Sequence, residues 1–341
     1  MNAVMSQLRG RPAMFAAALS LILLIANIII DPDFADPDNW PRQLATLAPL
    51  MLVALASTPS IISGGGGIDL SVGPLAVLCN VVLVHKLLPS GALDSPVVGI
   101  IILCLIGIGV GVINGVLITV LRYQPVIATL CMTFIITGLN LEWGSPPRSA
   151  GDNWTSSLAD TVVGPVPGAL LLMAAPILIW FALSKTSFHR NLYAVGSNEV
   201  TAFSSGIDIV RTRVVAYATG GLFAAFGGVA LTALVQTSQA NQTTLYILVG
   251  LTAVALGGTP LMGGRGGLTG SFFGAFALYL MQTLLPALSV PSNWVNIIFG
   301  AMLIVGVVVG ARATMAAPPE AGAPPGNGKA PAAGTTTGAT A

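Results

Sequence analysis

Residues 184–213 read SKTSFHRNLYAVGSNEVTAFSSGIDIVRTR and form the longest polar interruption between hydrophobic runs on the side where basic residues gather. This central polar loop divides the chain into two hydrophobic halves. It holds four of the 13 basic residues, namely Lys185, Arg190, Arg211 and Arg213. Within it, Asn198 can cap a short helix, Glu199 suits the first turn and Gly206 can end it. We therefore expect residues 199–205 to form a compact projection of about two turns.

The composition of the chain excludes a water-exposed globule. Hydrophobic residues make up 54% of the 341 residues, charged residues only 7%, and the mean hydropathy is +0.87. These values predict an all-α polytopic membrane protein. A net charge of +1 offers no basic face for nucleic acid. The three cysteines, Cys79, Cys104 and Cys131, lie in apolar runs without metal or redox spacing, which predicts small buried thiols.

Hydrophobic runs long enough to cross a hydrocarbon core of ~30 Å recur along the chain. Ten are predicted, at residues 12–30, 43–62, 72–88, 96–121, 125–143, 166–183, 214–235, 245–262, 268–285 and 294–310. The first run is longer than a usual signal-peptide core and has no small-x-small cleavage site before the acidic segment 31–38. We therefore expect it to be a retained helix.

The distribution of basic residues predicts the orientation, because cytoplasmic loops carry an excess of Lys and Arg. If the first helix begins in the cytoplasm and the spans alternate, ten basic residues lie inside: Arg9, Arg11, Arg122, Lys185, Arg190, Arg211, Arg213, Arg265, Arg312 and Lys329. Three lie outside: Arg42, Lys86 and Arg148. Both termini are then cytoplasmic. The membrane domain covers residues 1–312, with the central polar loop on the cytoplasmic side, and the Ala/Pro/Gly/Thr-rich tail 313–341 is expected to be disordered.

The middle of each predicted span lacks Asp, Glu, Lys and Arg. Lys86 and Glu142 lie near predicted outer ends of spans. Proton- or ion-driven carriers usually keep such groups near the midplane, where they are costly and functional. The polar residues singled out within the spans are Asn80, Asn114, Asn140 and Gln282. They either line a pathway or form hydrogen bonds between helices.

Metal and nucleotide sites are not visible in the sequence. The two histidines, His85 and His189, are 104 positions apart, which excludes a helical His pair for zinc. None of the three lysines completes a glycine-rich phosphate loop. We therefore expect a chain that is not an enzyme and binds no metal or cofactor of its own. If ATP drives this protein, another chain must hydrolyse it.

The glycines are ordered rather than scattered. Two stripes of small residues recur every fourth position, Gly107, Gly111 and Gly115 and then Gly266, Gly270 and Gly274, and predict close helix packing. Two polar breaks are also rich in glycine: residues 63–73, SGGGGIDLSVG, and residues 256–267, LGGTPLMGGRGG. Their matched positions in the two halves suggest an internal duplication. In the first glycine-rich break, Asp69 and Ser71 can cap the helix that follows.

Residues 66–73, GGIDLSVG, resemble the signature of the membrane subunits of ribose, xylose and galactoside type ABC importers. The matching residues are Gly66, Gly67, Ile68, Asp69, Leu70, Ser71 and Gly73. Further matches follow in order at residues 191–198, NLYAVGSN, at 205–207, SGI, at 256–259, LGGT, and at 270–275, GSFFGA. The resemblance extends over about residues 43–310.

This resemblance implies a permease subunit of the bacterial inner membrane, with a helical fold similar to that of the vitamin B12-type importers. Two such subunits, most simply a homodimer, would surround one pathway. A periplasmic binding protein would deliver the sugar, and a cytoplasmic ATPase carrying ATP and Mg would dock on the central polar loop. The implied coupling residues are Gly196, Asn198, Glu199, Phe203, Ser205, Gly206 and Ile207.

The chain departs from the family pattern at four places. Two extra glycines lengthen the run 64–67, and His189 and Ser197 replace usual glycines. Phe203 stands where Arg is common, so it would dock as an apolar anchor rather than through a family charge contact.

Three alternatives remain open. An amino-acid or nucleoside permease would share the same architecture. A secondary carrier or channel is disfavoured by the missing midplane charges, and a scaffold would not need matched breaks and a large central loop. The sequence does not identify the solute, because its selection is implied to lie mainly with the binding protein.

Overall fold

A computed structural model describes residues 12–90, 95–163, 166–241, 243–291 and 294–315. The described chain is built mainly of α-helices: α1 Pro12–Ile30, α2 Trp40–Ile62, α3 Val72–Val82, α4 Pro96–Thr119, α5 Pro125–Trp143, α6 Trp154–Ser157, α7 Gly168–Ser184, α8 Ser187–Ser197, α9 Glu199–Ser204, α10 Ile209–Val235, α11 Thr243–Leu256, α12 Leu268–Ala287 and α13 Trp294–Met315. A π-helical turn, Leu83–Leu87, continues α3, and 3-10 turns cover Pro32–Ala35, Pro37–Asn39 and Leu88–Ser90. A short antiparallel hairpin pairs β1, Thr161–Val163, with β2, Val166–Pro167.

Each of the ten predicted runs coincides with a helix, but not every helix is long enough to span a membrane by itself. Within the described residues, seven helices are long and apolar enough, or eight if α7 and α8, which are bent by 85°, form one span. The apolar helices Thr243–Leu256 and Trp294–Val308 are shorter. The chain is therefore an all-α polytopic membrane protein, as predicted, although length and composition identify seven to eight spans rather than ten.

Three predicted boundaries differ from the structure for local reasons. The run 245–262 is helical only to Leu256, because Gly258 has φ +76° and Pro260 follows it. The run 166–183 starts with β2, so its helix begins at Gly168. The run 214–235 is extended towards the N-terminus, where the Asp208 carboxylate caps α10 by accepting a hydrogen bond from the Arg211 backbone N–H at 2.9 Å.

The core lies in the centre of the helical bundle. Helices α2, α3 and α10 are buried along most of their lengths, whereas α1, α4 and α5 expose many apolar side chains. Exposed residues of this kind include Ile22, Leu105 and Phe134. Apolar surface of this extent is unfavourable in water and is expected where lipid surrounds the protein. Cys131 also lies exposed on α5, so the prediction of a buried thiol is wrong there, while Cys79 is buried.

The first glycine stripe packs against α10, as the prediction of close helix packing requires. Gly107 and Gly111 contact the backbone of Gly221 and Tyr217, and a methyl group at Gly115 would lie 2.7 Å from the Cα of Val214. Because these three positions of α4 carry no side chain, the backbones of α4 and α10 can approach closely.

The prediction of a second glycine stripe is only partly correct. Gly270 and Gly274 on α12 face the backbones of Gly257 and Ala253 at α11. Gly266 does not belong to this face, because it precedes α12, has φ +96° and lies against Thr259. It therefore shapes the second glycine-rich break rather than the helix contact.

Polar side chains tie α1 to α12. Ser20 Oγ donates a hydrogen bond to the Phe273 carbonyl at 2.9 Å, and Asn27 Nδ2 donates to the Leu280 carbonyl at 3.0 Å. Thr283 Oγ1 donates to Asn27 Oδ1 at 2.9 Å. These bonds join α1 to the helical bundle.

The last helix reaches Met315, inside the segment expected to be disordered. The remainder of that segment, together with Arg9, Arg11 and Lys329, lies outside the described residues.

Candidate functional site

The predicted cap at Asn198 is present. The Asn198 side-chain oxygen accepts a hydrogen bond from the Thr201 backbone N–H at 3.0 Å, while Asn198 itself has an extended backbone. Glu199 occupies the first turn of α9, where a negative charge is favourable. The start of α9 is therefore set by the local sequence, as predicted.

The end of α9 also follows from local residues. Gly206 has φ +78°; its N–H donates to the Phe203 carbonyl at 2.9 Å, and the Ile207 N–H donates to the Ala202 carbonyl at 3.1 Å. This pair of bonds is a Schellman motif, for which glycine in the left-handed conformation is the favoured residue. Ser205 is the C-cap, so α9 is one residue shorter than predicted.

The outer face of α9 is apolar. Val200 and Phe203 lie three positions apart on one side of the helix and are 75% and 72% exposed, whereas Ala202 is buried. A cleft of about 780 Å³ lies beside Phe203, and Arg122 and Tyr123 line its other wall. α9 thus presents an apolar surface to its surroundings rather than burying it within the chain.

An ion pair connects α9 to the start of α10. Arg213 Nη2 lies 2.8 Å from Glu199 Oε2; the Arg213 side chain is 12% exposed and that of Glu199 is 51% exposed. The guanidinium also packs against the first glycine-rich break, since a methyl group at Gly65 would lie 2.6 Å from Nη2. In the sequence, Arg213 is one of four basic residues of the central polar loop, and nothing there indicates its partner.

The first glycine-rich break has a backbone that only glycine adopts readily. Gly64, Gly65 and Gly66 have φ values of +76°, +65° and +71°. In this left-handed region a Cβ atom is unfavourable, and a run of three such residues turns the chain sharply between α2 and α3. The lengthened glycine run is therefore a conformational requirement of this chain.

The predicted cap of α3 takes a different form. Asp69 Oδ1 accepts hydrogen bonds from the Ser71 N–H at 2.9 Å and the Ser71 hydroxyl at 2.6 Å. Ser71 makes no capping bond with its own side chain, because its hydroxyl is used by Asp69 and accepts from Asn114 Nδ2 at 2.8 Å. Burial raises the pKa of the Asp69 carboxyl above its ordinary value, and the bonds from Ser71 oppose that rise.

The two glycine-rich breaks meet at the end of α8. A methyl group at Gly64 would lie 2.6 Å from the Cα of Gly196, and one at Gly264 would lie 2.7 Å from the backbone N of Ser197. The Gly264 N–H donates to the Ile62 carbonyl at 3.0 Å, and Ser197 Oγ donates to the Gly264 carbonyl at 3.1 Å. We call this contact of three backbones the glycine junction. It lies directly before α9, so both halves of the chain contact the segment that carries α9.

Asn80 is fully used in hydrogen bonds. Its Nδ2 donates to Thr232 Oγ1 at 2.9 Å and to the Thr237 carbonyl at 3.1 Å, and its Oδ1 accepts from the Gln239 N–H at 2.9 Å. For Asn80 these bonds support the alternative of contacts between helices.

The other three polar residues within the spans are only partly bonded. Asn114 Nδ2 donates to Ser71, and Asn140 Nδ2 donates to the Pro74 carbonyl at 3.1 Å. The side-chain oxygens of Asn114, Asn140 and Gln282 are buried without a hydrogen-bond partner among the described residues. Their role in lining a pathway stays a prediction.

Loops at the other end of α10 form a second cluster. The Ser238 N–H donates to the Arg148 carbonyl at 3.0 Å, and the Ala150 N–H donates to the Gln236 carbonyl at 2.9 Å. His85 Nε2 lies 3.0 Å from Ser238 Oγ. The predicted outside segments around Arg148 and Ser238 are therefore in mutual contact, and His85 near the outer end of the third span adjoins them.

Comparisons with known proteins identify the family of the chain. Residues 42–307 match the family model described as branched-chain amino acid transport system / permease component. The ribose import permease protein of Bacillus subtilis (strain 168) is 36% identical over 296 residues, covering 85% of this chain and 90% of that protein. The ribose import permease protein of Escherichia coli (strain K12) is 29% identical over 306 residues, covering 85% and 91%.

A further relative is the galactose/methyl galactoside import permease protein of Escherichia coli (strain K12), which is 29% identical over 307 residues, covering 84% and 90%. No solved structure matches the chain significantly. Because the family model covers most of the chain and the Bacillus relative aligns along nearly its full length, the chain belongs to the branched-chain amino acid transport system permease component family.

Proposed function

We propose that this chain is the permease subunit of an ABC importer and forms the pathway for a monosaccharide or a related small polar solute. Its curated relatives are named for the import of ribose and of galactose or methyl galactoside, and each aligns over at least 84% of this chain. Because these relatives are all named for sugar import, a sugar is favoured over an amino acid or a nucleoside as the transported solute. The observation that carries the assignment within the structure is α9, a capped helix that projects two apolar side chains from the glycine junction.

We place the docking site of the partner ATPase at α9 because the ATPase needs a projection that it can contact differently in two conformations. An ATPase that closes on ATP and Mg shifts the permease between conformations only if it touches a projection differently in the two states. α9 suits this role because its two ends are capped and its outer face is apolar. The site consists of Gly196, Asn198, Glu199, Phe203, Ser205, Gly206 and Ile207, with Phe203 as the anchor.

The glycine junction supports the transmission of movement from α9 into the membrane domain. The segment that leads into α9 packs against Gly64 in one half of the chain and Gly264 in the other. A displacement of α9 therefore presses on both glycine-rich breaks. We place a second permease subunit, most simply another copy, across the pathway and a sugar-binding protein at the periplasmic side.

We infer ten spans by counting α7, α11 and the apolar stretch Trp294–Val308 of α13 beside the seven long apolar helices. Three segments predicted to be cytoplasmic meet at the glycine junction, and the predicted periplasmic segments around Arg148 and Ser238 meet at the other end of α10. This grouping fits the orientation predicted for an inner-membrane protein with cytoplasmic termini and two related halves, similar to the vitamin B12-type permeases.

The substitution Phe203→Asp tests the docking role. Removing the anchor and placing a charge against an apolar cleft should cost ~2 kcal/mol or more, or about 30-fold in affinity for the ATPase. The variant should insert normally, lose the ATPase during co-purification and lose uptake.

Leu288→Asp is the matched control. Leu288 is 52% exposed but follows α12 at the predicted periplasmic end, so its substitution should leave ATPase association unchanged. If Phe203→Asp retains the ATPase at the parental ratio, α9 is not the docking element, and the alternative of a helix with Phe203 in lipid gains support.

A further inference from the structure

The Arg213 guanidinium lies between two elements that the proposed function requires to move together. One of its nitrogens, Nη2, pairs with Glu199 at 2.8 Å, and the same atom packs against Gly65 of the first glycine-rich break. Arg213 is the only basic residue of the central polar loop that forms an ion pair within the described residues. Arg213 thus contacts both α9, the proposed docking helix, and the first glycine-rich break, which precedes α3.

The environment of Arg213 differs from that of an ordinary surface ion pair. Its side chain is 12% exposed, and its Nε is buried with no hydrogen-bond partner among the described residues. A long basic side chain is seldom buried with a donor left unused, because the desolvated N–H is unfavourable. The position of Arg213 is therefore held by its two contacts rather than by complete hydrogen bonding.

Further buried polar residues lie near the contact between Arg213 and the first glycine-rich break. Tyr217 lies one turn along α10 from Arg213 and is fully buried. Its hydroxyl and the Asn114 side-chain oxygen are also buried without a hydrogen-bond partner among the described residues. Asp69 is bonded to Ser71 at the start of α3. Asp69, Ser71 and Asn114 are thus bonded to one another at the start of α3, and Arg213 contacts the same glycine-rich break at Gly65.

We infer that Arg213 is a positioning residue that transmits displacement of α9 to the first glycine-rich break through its ion pair with Glu199. The glycine junction holds the segment before α9, whereas this ion pair holds α9 itself to α10. Without the ion pair, the left-handed Gly206 lets α9 pivot relative to α10. The first glycine-rich break would then receive the displacement of α9 only through Gly64 at the glycine junction. This inference rests on the proposed docking of the ATPase at α9.

The test measures hydrogen–deuterium exchange in the purified permease–ATPase complex, with and without ATP and Mg, so no transported solute is needed. In the parental complex, nucleotide should change exchange both in α9 and in residues 63–71. In Arg213→Gln the response of α9 should persist, while that of residues 63–71 should fall about fivefold or more. Arg213→Lys should keep most of that response, because its ammonium still reaches Glu199.

Two variants make this test specific. Arg211→Gln is the matched control, since Arg211 is exposed two positions away on α10 and should leave both responses at parental level. Glu199→Gln removes the same ion pair from its exposed partner, so it reports on the inference even if Arg213→Gln does not fold. It should also uncouple residues 63–71 from α9.

The outcomes separate the two proposals. A parental response of residues 63–71 in both Arg213→Gln and Glu199→Gln would overturn the role of Arg213 while leaving docking at α9 intact. If nucleotide changes nothing in α9 of the parental complex, the proposed docking site itself is wrong.

Discussion

Replacing Gly196 by alanine should loosen the glycine junction. The new methyl group would lie 2.7 Å from the backbone N of Gly264 and 2.9 Å from its Cα, and it would also overlap the Ile62 carbonyl. All three atoms belong to backbone, so no flexible side chain can move aside. The segments that carry these residues must therefore separate.

The magnitude follows from two opposing effects. Gly196 lies within α8, where alanine is favoured over glycine by about 0.5–1 kcal/mol. Forcing a methyl group into a closely packed contact costs about 1–3 kcal/mol. Since the contact is backbone against backbone, the upper part of that range applies. We expect a net loss of roughly 1–2 kcal/mol in the free energy of unfolding.

Thermal unfolding of the purified protein in detergent, followed by tryptophan fluorescence, measures this loss. Gly138→Ala is the matched control, because Gly138 also lies within a helix, α5, and nothing lies within 4 Å of the position its Cβ would take. Gly138→Ala should unfold at or above the parental midpoint, and Gly196→Ala clearly below it. Equal midpoints for the two variants would show that the three backbones do not meet as described.

Two further predictions concern topology and pH. In a background without native cysteines, Asn153→Cys and Asn241→Cys should react with an impermeant thiol reagent in intact cells, whereas Asn198→Cys should not; labelling at 198 would contradict the proposed orientation. Because burial raises the folded-state pKa of Asp69, its stabilising contribution is present below the ordinary aspartate pKa and is lost as pH rises through the raised value. Asp69→Asn, which keeps an oxygen acceptor for Ser71, should therefore gain in unfolding midpoint relative to the parental protein as the pH rises above the ordinary aspartate pKa, and a midpoint difference that does not change with pH would exclude this linkage.

Much of the fold is predictable from local sequence. The ten apolar runs coincide with helices because long apolar segments in lipid must satisfy their backbone hydrogen bonds internally. α9 is predicted within one residue, since Asn198 and Gly206 act on neighbouring N–H and carbonyl groups. Errors occur where a helix-breaking residue interrupts an apolar run, as at α11, which ends at Leu256 before the left-handed Gly258 and Pro260.

The candidate site, like the fold, is only partly predictable from the sequence. Its residues and the family resemblance are visible in the sequence, but their mutual contacts are not. Gly64, Gly196 and Gly264 are separated by long stretches of chain, and nothing near any of them specifies the others. The ion pair of Arg213 with Glu199 was likewise hidden, because four basic residues of the central polar loop were equivalent candidates.

The amino-acid sequence is enough to identify a helical membrane permease, to locate its helices approximately and to predict a capped helix after Asn198. These properties depend on hydropathy and on interactions between residues a few positions apart. Contacts between distant segments come from the folded structure alone: both glycine-rich breaks contact the segment before α9, Asn80 is held by bonds to Thr232, Thr237 and Gln239, and Arg213 faces Gly65. The physical reason is that such contacts arise from helix packing, which brings together segments whose local sequences carry no information about each other.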